Sequence, residues 1–342
     1  MTNPVGAATD RCAVRLSPRD DLQRAIDRLP AGTAPVRVCL SAGEFPLARF
    51  LSIRRDGVRL RGAGISTVLR LGEGIESPVI VVGDYQHETP RRPIANVTIE
   101  HLRIVGAGAG GGEVHPEYRY LTNSAVVVRE GRNVTIRDVH VFACRSACIL
   151  TERDTRGVAI VRNVVAGSVW DGISLNRTAH AHVVGNWLRD NRAAGLTAEH
   201  LEDSVVERNV VAGNKTHGIY LADSRRNRFA DNRFAGNVLS GVFLTCAVRD
   251  GTSPVTCWKG SMSEGNDFAR NVLAGNRMGF TVAPDADAPC TARRFVPNRS
   301  RGDGFSRNPR AEPYPAGYGR CLVFSTRPVR RGPAHSGGAG SR

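Results

Sequence analysis

The chain has 342 residues, of which 41% are apolar, so it can bury the core of one large domain or two ordinary ones, and no run of eighteen apolar residues indicates a membrane span. Its formal net charge of +15 comes almost entirely from scattered arginines without one basic stripe, and only 6% of its residues are aromatic. These features argue against a membrane protein and against nucleic-acid binding, and they favour an anionic ligand.

The N-terminal segment, residues 1–14, is predicted to be an extension that precedes the folded domain. It lacks the apolar stretch of a secretory signal, so the chain as written is expected to be cytoplasmic. If a signal peptide has been removed, the protein is expected to be secreted.

The first repeat-like segments alternate apolar and polar residues, as half-buried strands do. GVRL occurs at 57–60, and NVTI occurs at 96–99 and again at 133–136. These segments are irregular early copies of a repeat that becomes clear further along the chain.

From residue 163 onward, three columns of residues recur in register. The first column is Asn, the second lies five residues further on, and the third is Gly, with a spacing of 23 until the last copy. Helical repeats would need longer runs of 3.6-residue periodicity, so each repeat is predicted to contain about three short strands. The columns are Asn163, Asn186, Asn209, Asn232 and Asn271; Ser168, Asn191, Asn214, Asn237 and Asn276; and Gly172, Gly195, Gly218, Gly241 and Gly279.

Stacked copies of such a unit place each strand beside its counterpart in the next coil, about 4.8 Å away, and so form parallel sheets. An Asn at an inward turn can donate its amide to the Asn of the next coil, which produces a ladder. The glycines are expected to supply a positive φ or a close backbone approach. The columns are therefore predicted to be the corners of a coil.

These columns, together with LQRAIDRLPAGTAPVRVCLSAGEF at 22–45 and GVRLRGAGISTVLRL at 57–71, resemble a right-handed parallel β-helix of the pectin-lyase-like superfamily. The resemblance covers roughly residues 15 to 285. It implies an all-β solenoid with an N-terminal capping helix and lateral loops.

The predicted domain organisation follows from this resemblance. A single β-helix domain is expected over 15–324, with regular coils over about 57–285 and a C-terminal capping region over 286–324. Residues 325–342 are rich in Gly, Pro, Ser and Arg and are expected to be disordered.

Four insertions interrupt the regular pattern, and function is expected there because regular coils serve as scaffold. Insertions that emerge at one corner of successive coils would stack into a wall and turn one sheet face into a groove. They are residues 83–95, 106–123, 246–264 and 283–320.

Polar residues beside the Gly column are predicted to form the floor of this groove. His217 as a base and Tyr220 as an acid suit β-elimination or epimerisation of a uronate, whereas hydrolysis would use two carboxylates. No metal site and no cofactor are predicted. The predicted catalytic residues are Asp171, Glu199, His200, His217 and Tyr220, and the predicted substrate-binding residues are His115, Tyr118, Asn176, Asp223, Phe243 and Trp258.

Because β-helix enzymes of this superfamily mostly act on polysaccharides, the resemblance implies a carbohydrate-active enzyme, with a lyase or isomerase favoured over a hydrolase. The expected ligand is a saccharide or a small metabolite, preferably anionic. Two alternatives stay open: an intracellular cyclase or isomerase of secondary (polyketide-type) metabolism that holds a reactive conformer, and a carbohydrate-binding rod without catalysis. The sequence leaves the oligomeric state open.

The eight cysteines are the last feature, and they allow 105 pairings. In an oxidising compartment they would form disulfides, and in the cytoplasm most would be buried thiols, which is the simpler interpretation of Cys144 and Cys148 at two corners. Taken in chain order, the pairs are Cys12 with Cys39, Cys144 with Cys148, Cys246 with Cys257, and Cys290 with Cys321.

Overall fold

The computed structural model describes residues 11–108, 110–246, 261–282, 290, 294–308 and 321–325. These residues form three parallel sheets in which each strand pairs with its counterparts in the preceding and following coils. The predicted N-terminal extension lies outside them apart from residues 11–14. The predicted disordered tail lies outside them apart from Ser325.

The strands of the three sheets have the following bounds. Sheet 1 contains Val14–Leu16, Val36–Leu40, Val58–Arg61, Thr98–Glu100, Thr135–Arg137, Ala159–Val161, His182–Val184, Val205–Glu207, Arg228–Ala230, Asp267–Ala269, Asn298–Arg301 and Leu322–Ser325. Sheet 2 contains Gly43–Leu47, Thr67–Leu71, Arg103–Val105, His140–Phe142, Val164–Ala166, Trp187–Arg189, Val210–Ala212, Arg233–Ala235, Val272–Ala274 and Gly304–Ser306. Sheet 3 contains Leu51–Ile53, Ile80–Val82, Val126–Arg129, Ile149–Glu152, Ile173–Ala179, Leu196–Glu202, Ile219–Ala222, Ser240–Thr245 and Met278–Val282, with the short strands Ile94–Ala95, Gly131–Arg132 and Thr155–Arg156 at its edge.

The chain visits sheets 1, 2 and 3 in turn and then starts the next coil. One complete coil comprises Ala159–Val161, Val164–Ala166 and Ile173–Ala179, and His182–Val184 begins the following one. This path confirms the prediction of about three short strands per repeat. Strands also precede and follow the range 57–285, because sheet 1 extends from Val14 to Ser325.

The Asn columns form hydrogen-bonded ladders at the corners, as predicted. Asn186 Nδ2 donates to Asn209 Oδ1 at 2.9 Å, and Asn209 Nδ2 donates to Asn232 Oδ1 at 2.9 Å. Each of these amides also donates to a backbone carbonyl of the preceding coil, for example from Asn209 to Val183 O at 2.9 Å. The ladder therefore satisfies polar groups that the corners bury.

The glycine column has one of its two predicted roles. A Cβ on Gly218 would lie 2.5 Å from Gly241 O, so this column permits a close backbone approach. The positive φ is supplied by the residue immediately before each ladder Asn, such as Arg208 with φ 55° and Gly236 with φ 62°. The expectation of a close approach is confirmed, and the left-handed conformation belongs to a different position.

The core lies inside the coil and consists of stacked aliphatic and aromatic side chains. Ile160, Val183 and Val206 occupy one such stack in sheet 1, and Phe229 and Phe268 continue it with ring centroids 4.8 Å apart. All five are almost completely buried. Residues at equivalent inward positions of successive coils thus form one continuous core.

An α-helix, Leu22–Asp27, covers the first coils. Asp21 caps it by accepting a hydrogen bond from Arg24 N at 2.9 Å, and Leu22 and Ile26 are buried against the core. This helix agrees with the predicted N-terminal cap. Over the described residues, no helix has the length and apolar character needed to cross a membrane.

The described cysteines are disulfide-bonded, so the buried-thiol interpretation of Cys144 and Cys148 is wrong. These two residues pair across a Cα–Cα distance of 5.1 Å at a corner. Cys246 is also disulfide-bonded, and Cys257 lies outside the described residues. The other described pairs are Cys12 with Cys39 and Cys290 with Cys321, which match the chain-order pairing.

Candidate functional site

The outward face of sheet 3 changes in character along the rod. One row of outward positions, aligned by the pairing of adjacent strands, passes from aliphatic to polar to aromatic residues. We call its stretch from Ser174 to Thr281, together with the outward residues beside it on the same coils, the floor. The complete row is Ser52, Val81, Val127, Leu150, Ser174, Thr197, Tyr220, Phe243 and Thr281.

Three rings meet on the floor. His217 stacks on Phe243 with ring centroids 4.4 Å apart and an interplanar angle of 17°, and the centroid of Tyr220 lies 6.1 Å from that of His217. Burial lowers the pKa of His217 to about 4, and burial also raises the pKa of the Tyr220 phenol. At neutral pH both groups are therefore uncharged.

A carboxyl group lies on the same face, two coils before His217. Asp171 Oδ1 accepts a hydrogen bond from Ala194 N at 3.0 Å, and the Thr197 side chain bonds to the same carboxyl group. Burial nevertheless raises the pKa of Asp171, with smaller contributions from the nearby carboxylates of Glu199 and Glu113, to about 6. Asp171 thus exchanges a proton close to neutral pH.

The predicted ligand-binding residue Asn176 and the predicted catalytic residue Glu199 form a pair. They align on adjacent strands, and Asn176 Nδ2 donates to Glu199 Oε2 at 3.3 Å. Because Glu199 contributes to the raised pKa of both Asp171 and Tyr220, it belongs to the same electrostatic group. The floor therefore brings together Asp171, Asn176, Glu199, His217, Tyr220 and Phe243.

His200 and Asp223 lie at the sheet 3 edge rather than within this group. His200 Nδ1 is 3.0 Å from Asp223 Oδ2, and Arg225 also donates to Asp223 at 2.8 Å. Both His200 and Asp223 have a positive φ, which marks them as corner residues. The two predicted site residues thus pair with each other at the boundary of the floor.

His115 and Tyr118 are placed in an aromatic cluster on the insertion 106–123. Nδ1 of His115 accepts hydrogen bonds from the backbone N–H groups of Glu117 and Tyr118, at 3.1 and 3.2 Å, and its ring is buried. His115 thus stabilises the conformation of its own loop. We call Phe50, Tyr85, His115 and Tyr118 the aromatic cover, because their rings contact one another at centroid distances of 4.8 to 6.3 Å.

The insertions emerge on opposite edges of sheet 3, so the expectation of a single corner is wrong. Insertion 83–95 follows the sheet 3 strand Ile80–Val82, whereas insertion 106–123 precedes the strand Val126–Arg129. Insertion length alone does not indicate at which corner of the coil an insertion leaves. Trp258 and most of the insertions 246–264 and 283–320 lie outside the described residues.

Arg129 is a residue that the sequence analysis missed. It lies fully buried in sheet 3, and its guanidinium donates to Glu152 Oε1 at 2.7 Å and to the carbonyls of Asp84, His87 and Glu88 at 2.6 to 2.9 Å. The guanidinium carbon also lies 5.0 Å from the centre of the Tyr120 ring. Arg129 thus joins both insertions to the sheet.

The floor is a surface of sheet 3, and open cavities occur elsewhere. Two cavities of about 740 and 750 Å³ lie against the N-terminal helix. The first is lined by Arg54, Arg55, Arg91 and Arg92, among others, and neither includes a floor residue.

Comparison with protein-family models identifies the family of this chain. The family model described as periplasmic copper-binding protein (NosD) matches residues 103–288, which is more than half of the sequence. The chain belongs to the NosD family. The NosD match spans the floor and the insertion 106–123. No curated protein is matched by the sequence.

Solved structures share the fold at low sequence identity. The A-module of the Azotobacter vinelandii mannuronan C-5 epimerase AlgE4 has a TM-score of 0.50 and 18% identity, over 89% of this chain and 93% of that one. The Streptococcus pneumoniae surface protein and adhesin PfbA has a TM-score of 0.56 and 12% identity, over 88% of each chain. The Dettilon tailspike protein has a TM-score of 0.57 and 13% identity, over 91% of this chain and 66% of that one. The fold is that of a right-handed parallel β-helix of the pectin-lyase-like superfamily, as predicted.

Proposed function

We propose that this protein is a carbohydrate-active enzyme that performs β-elimination or epimerisation on uronate-containing saccharides bound to the floor. The observation that carries the proposal is the placement of a neutral imidazole, a phenol and a protonatable carboxyl group on one sheet face within three successive coils. Such a set can remove a proton from carbon, return one and neutralise a carboxylate. The name of one similar fold, a mannuronan C-5 epimerase, supports the substrate class.

Each group has a distinct role in this reaction. Among the described residues, Nδ1 of His217 has no hydrogen-bond partner and is buried, so the exchange of protons with a ligand falls to Nε2. With hydrogen on Nδ1, the Nε2 lone pair accepts the C5 proton of the uronate. The electron pair then forms the C4–C5 double bond while O4 leaves with a proton from Tyr220, or Tyr220 reprotonates C5 from the opposite face.

The carboxylate of the uronate must be neutralised for its C5 proton to become acidic. The protonated form of Asp171, which its raised pKa of about 6 makes accessible, can donate a hydrogen bond to that carboxylate. The amide of Asn176 is a second donor on the same face. Asp171 with Glu199 remains the pair that a hydrolytic reaction would use.

We infer that the protein works in an oxidising compartment, in preference to the cytoplasm expected from the sequence. The family description names a periplasmic protein, and the described residues contain three disulfides. Disulfides of this kind are rare in the cytosol, where thiols are kept reduced.

The copper named in the family description does not fit the residues that the structure describes. Within them, no group of three or more His, Cys, Asp and Glu side chains could hold a metal ion. The described cysteines are all disulfide-bonded and so offer no thiolate. No step of the proposed reaction involves copper.

A carbohydrate-binding rod without catalysis is the second candidate. The likeness to the adhesin PfbA supports it, since that surface protein has the same fold over 88% of its length. The stacked rings of His217 and Phe243 could also bind a sugar ring without any reaction.

Incubation with polymannuronate, polygalacturonate and polyglucuronate tests the proposed function. Elimination is followed by the absorbance of the unsaturated product, and epimerisation by uptake of deuterium from heavy water at C5. We expect His217→Gln and Tyr220→Phe to lower kcat by about 10²- to 10⁴-fold, since each removes an acid–base group.

His182→Gln is the matched control, because His182 is an exposed imidazole on sheet 1. It should leave the rate within about twofold of the wild type. Full activity in His217→Gln would contradict the proposed base. Saccharide binding without turnover on any of the polymers would favour the binding rod.

A further inference from the structure

The outward row of sheet 3 is covered at its N-terminal end. Val81 and Val127 are 0% exposed and Leu150 is 7% exposed, although all three point away from the coil interior. The next positions, Ser174 and Thr197, are partly exposed. The outward row of sheet 3 is therefore inaccessible from Val81 to Leu150 and becomes accessible from Ser174 onward.

The aromatic cover accounts for this burial. Phe50 packs with Val81, Val127 and Leu150, and Tyr85 and Tyr118 pack against that cluster. Tyr85 comes from insertion 83–95 and Tyr118 from insertion 106–123, and their ring centroids are 5.3 Å apart. The two insertions thus meet over the sheet from its opposite edges.

The cover is fixed by polar contacts as well as by packing. Arg129 holds three carbonyls of insertion 83–95, and Tyr120 Oη donates to Tyr85 O at 3.0 Å. On the other insertion, Glu76 accepts a hydrogen bond from Gly112 N at 2.8 Å, and Arg145 donates to Gly111 O at 2.7 Å. These contacts make the cover a fixed wall rather than a loose lid.

The wall stands close to the proposed chemistry. Tyr220 is three coils beyond Leu150 in the same row, so only the two positions Ser174 and Thr197 separate the covered part from the phenol. Leu150 and Tyr220 are thus three coil spacings apart, roughly 14 Å, which accommodates about three sugar rings. Glu113, on the insertion that contributes Tyr118, is near enough to Asp171 to affect its pKa.

We infer that the floor is blind at its N-terminal end, so that the protein acts at or near the terminus of a saccharide chain and not at internal positions. This inference rests on the proposed function. A chain that lies along the floor with a uronate over Tyr220 must end at the aromatic cover, because no continuation passes beneath Tyr85 and Tyr118. Tyr85 and Tyr118 are then specificity-determining residues that select chain ends.

The size distribution of early products tests the inference. Long polymannuronate, polygalacturonate and polyglucuronate are labelled at the reducing end, and products are separated by size during the first turnovers. We expect short terminal fragments from the beginning, or modified uronates confined to one terminus, with little loss of viscosity. A broad mixture of internal fragments would overturn the inference while leaving the proposed function intact.

Opening the wall should change this pattern. Tyr85→Ala combined with Tyr118→Ala is expected to increase the share of internal products by at least about tenfold, whereas the control His182→Gln on sheet 1 should keep the wild-type product pattern. An unchanged pattern in a folded double variant would contradict the assigned role of the two tyrosines. If the double variant does not fold, the wild-type product pattern still decides the matter.

A binding measurement keeps the inference testable without turnover. Oligomers of the same three polymers are tethered to beads through either terminus and offered to the Tyr220→Phe variant. A blind floor binds one tethering direction at least about tenfold more tightly than the other, and equal binding in both directions overturns it. Absence of turnover and binding on every polymer overturns the proposed function, and the inference with it.

Discussion

The corner ladders and the floor are built on the same coils but follow opposite rules. At the corner that leads from sheet 1 to sheet 2, Asn163, Asn186 and Asn209 repeat with nearly identical hydrogen bonds. On sheet 3, by contrast, the residue in the floor row changes from Thr197 to Tyr220 to Phe243 in three successive coils. Both sets are held in register by the same parallel pairing.

The difference shows how a repeat protein separates stability from function. A ladder residue needs a side-chain oxygen that accepts a hydrogen bond from the preceding coil, and Asn meets this need while also donating to its neighbours. A floor residue faces outward and makes no such demand, so its coil can carry any side chain without disturbing the stack. Repetition in a column therefore indicates structure, whereas an outward row whose polar and aromatic residues change from coil to coil is a candidate site.

The largest effect should come from breaking the ladder in its middle. Asn209→Ala removes the acceptor of two donors on Asn186 and the donor to Val183 O, all in the buried corner. We expect the free energy of unfolding to fall by about 4 kcal/mol, because several buried polar groups lose their partners. Urea denaturation followed by circular dichroism measures the change.

Ser174→Ala is the matched control on the floor. Ser174 is a partly exposed residue of sheet 3, and its replacement should change the free energy of unfolding by at most about 0.5 kcal/mol. Equal losses in the two variants would remove the distinction between ladder and floor.

A smaller effect should distinguish the two glycine positions of a coil. A Cβ on Gly218 would lie 2.5 Å from Gly241 O and 3.0 Å from Phe234 Cδ1, so Gly218→Ala should cost about 2 to 3 kcal/mol. The added Cβ of Gly236→Ala meets no described atom within 4 Å, so this variant should lose only about 1 kcal/mol through its positive φ. Denaturation midpoints of the two variants provide the comparison, and a larger loss in Gly236→Ala would refute it.

The smallest effect should appear as a pH dependence that arises on the floor. The raised pKa of Asp171, about 6, gives stability that is present below its ordinary pKa of 3.8 and is lost as pH rises through 6. The lowered pKa of His217, about 4, gives stability that is present above 6.5 and is lost as pH falls through 4. Between pH 4 and pH 6 the two contributions oppose each other.

Single variants separate these two contributions. Relative to the wild type, Asp171→Asn should gain on the order of 2 kcal/mol in free energy of unfolding from pH 4 to pH 6, because it loses the opposing carboxyl. His217→Gln should lose stability relative to the wild type over the same range. Denaturation at several pH values measures both slopes, and parallel pH profiles for all three proteins would contradict the assignments.

Much of the fold was predictable because a coil repeats its sequence as well as its shape. The 23-residue spacing of Asn186 and Asn209 specifies which residues stack, and hence the register of every sheet. A third ladder escaped notice, since its members mix residue types from coil to coil: Ser204 Oγ accepts from Ala181 N, and Asn227 Oδ1 accepts from Ser204 N. Single-residue columns are visible in a sequence, whereas mixed polar columns are not.

The candidate site was predictable only where it follows the register. The alignment of Thr197, Tyr220 and Phe243 follows from the repeat, and so does their sharing of one face. The burial that shifts the pKa of His217 depends on packing across coils, which no spacing reveals. Arg129 was missed for the same reason, because its three carbonyl partners belong to an irregular insertion 41 to 45 residues earlier.

The position of a bound uronate oligosaccharide tests the central claim most directly. A crystal structure of the Tyr220→Phe variant with such an oligomer should show the sugar over Thr197, the substituted position 220 and Phe243. Its terminal ring should lie against Tyr118. An oligosaccharide bound on sheet 1, on sheet 2 or in the cavities beside the N-terminal helix would contradict the account.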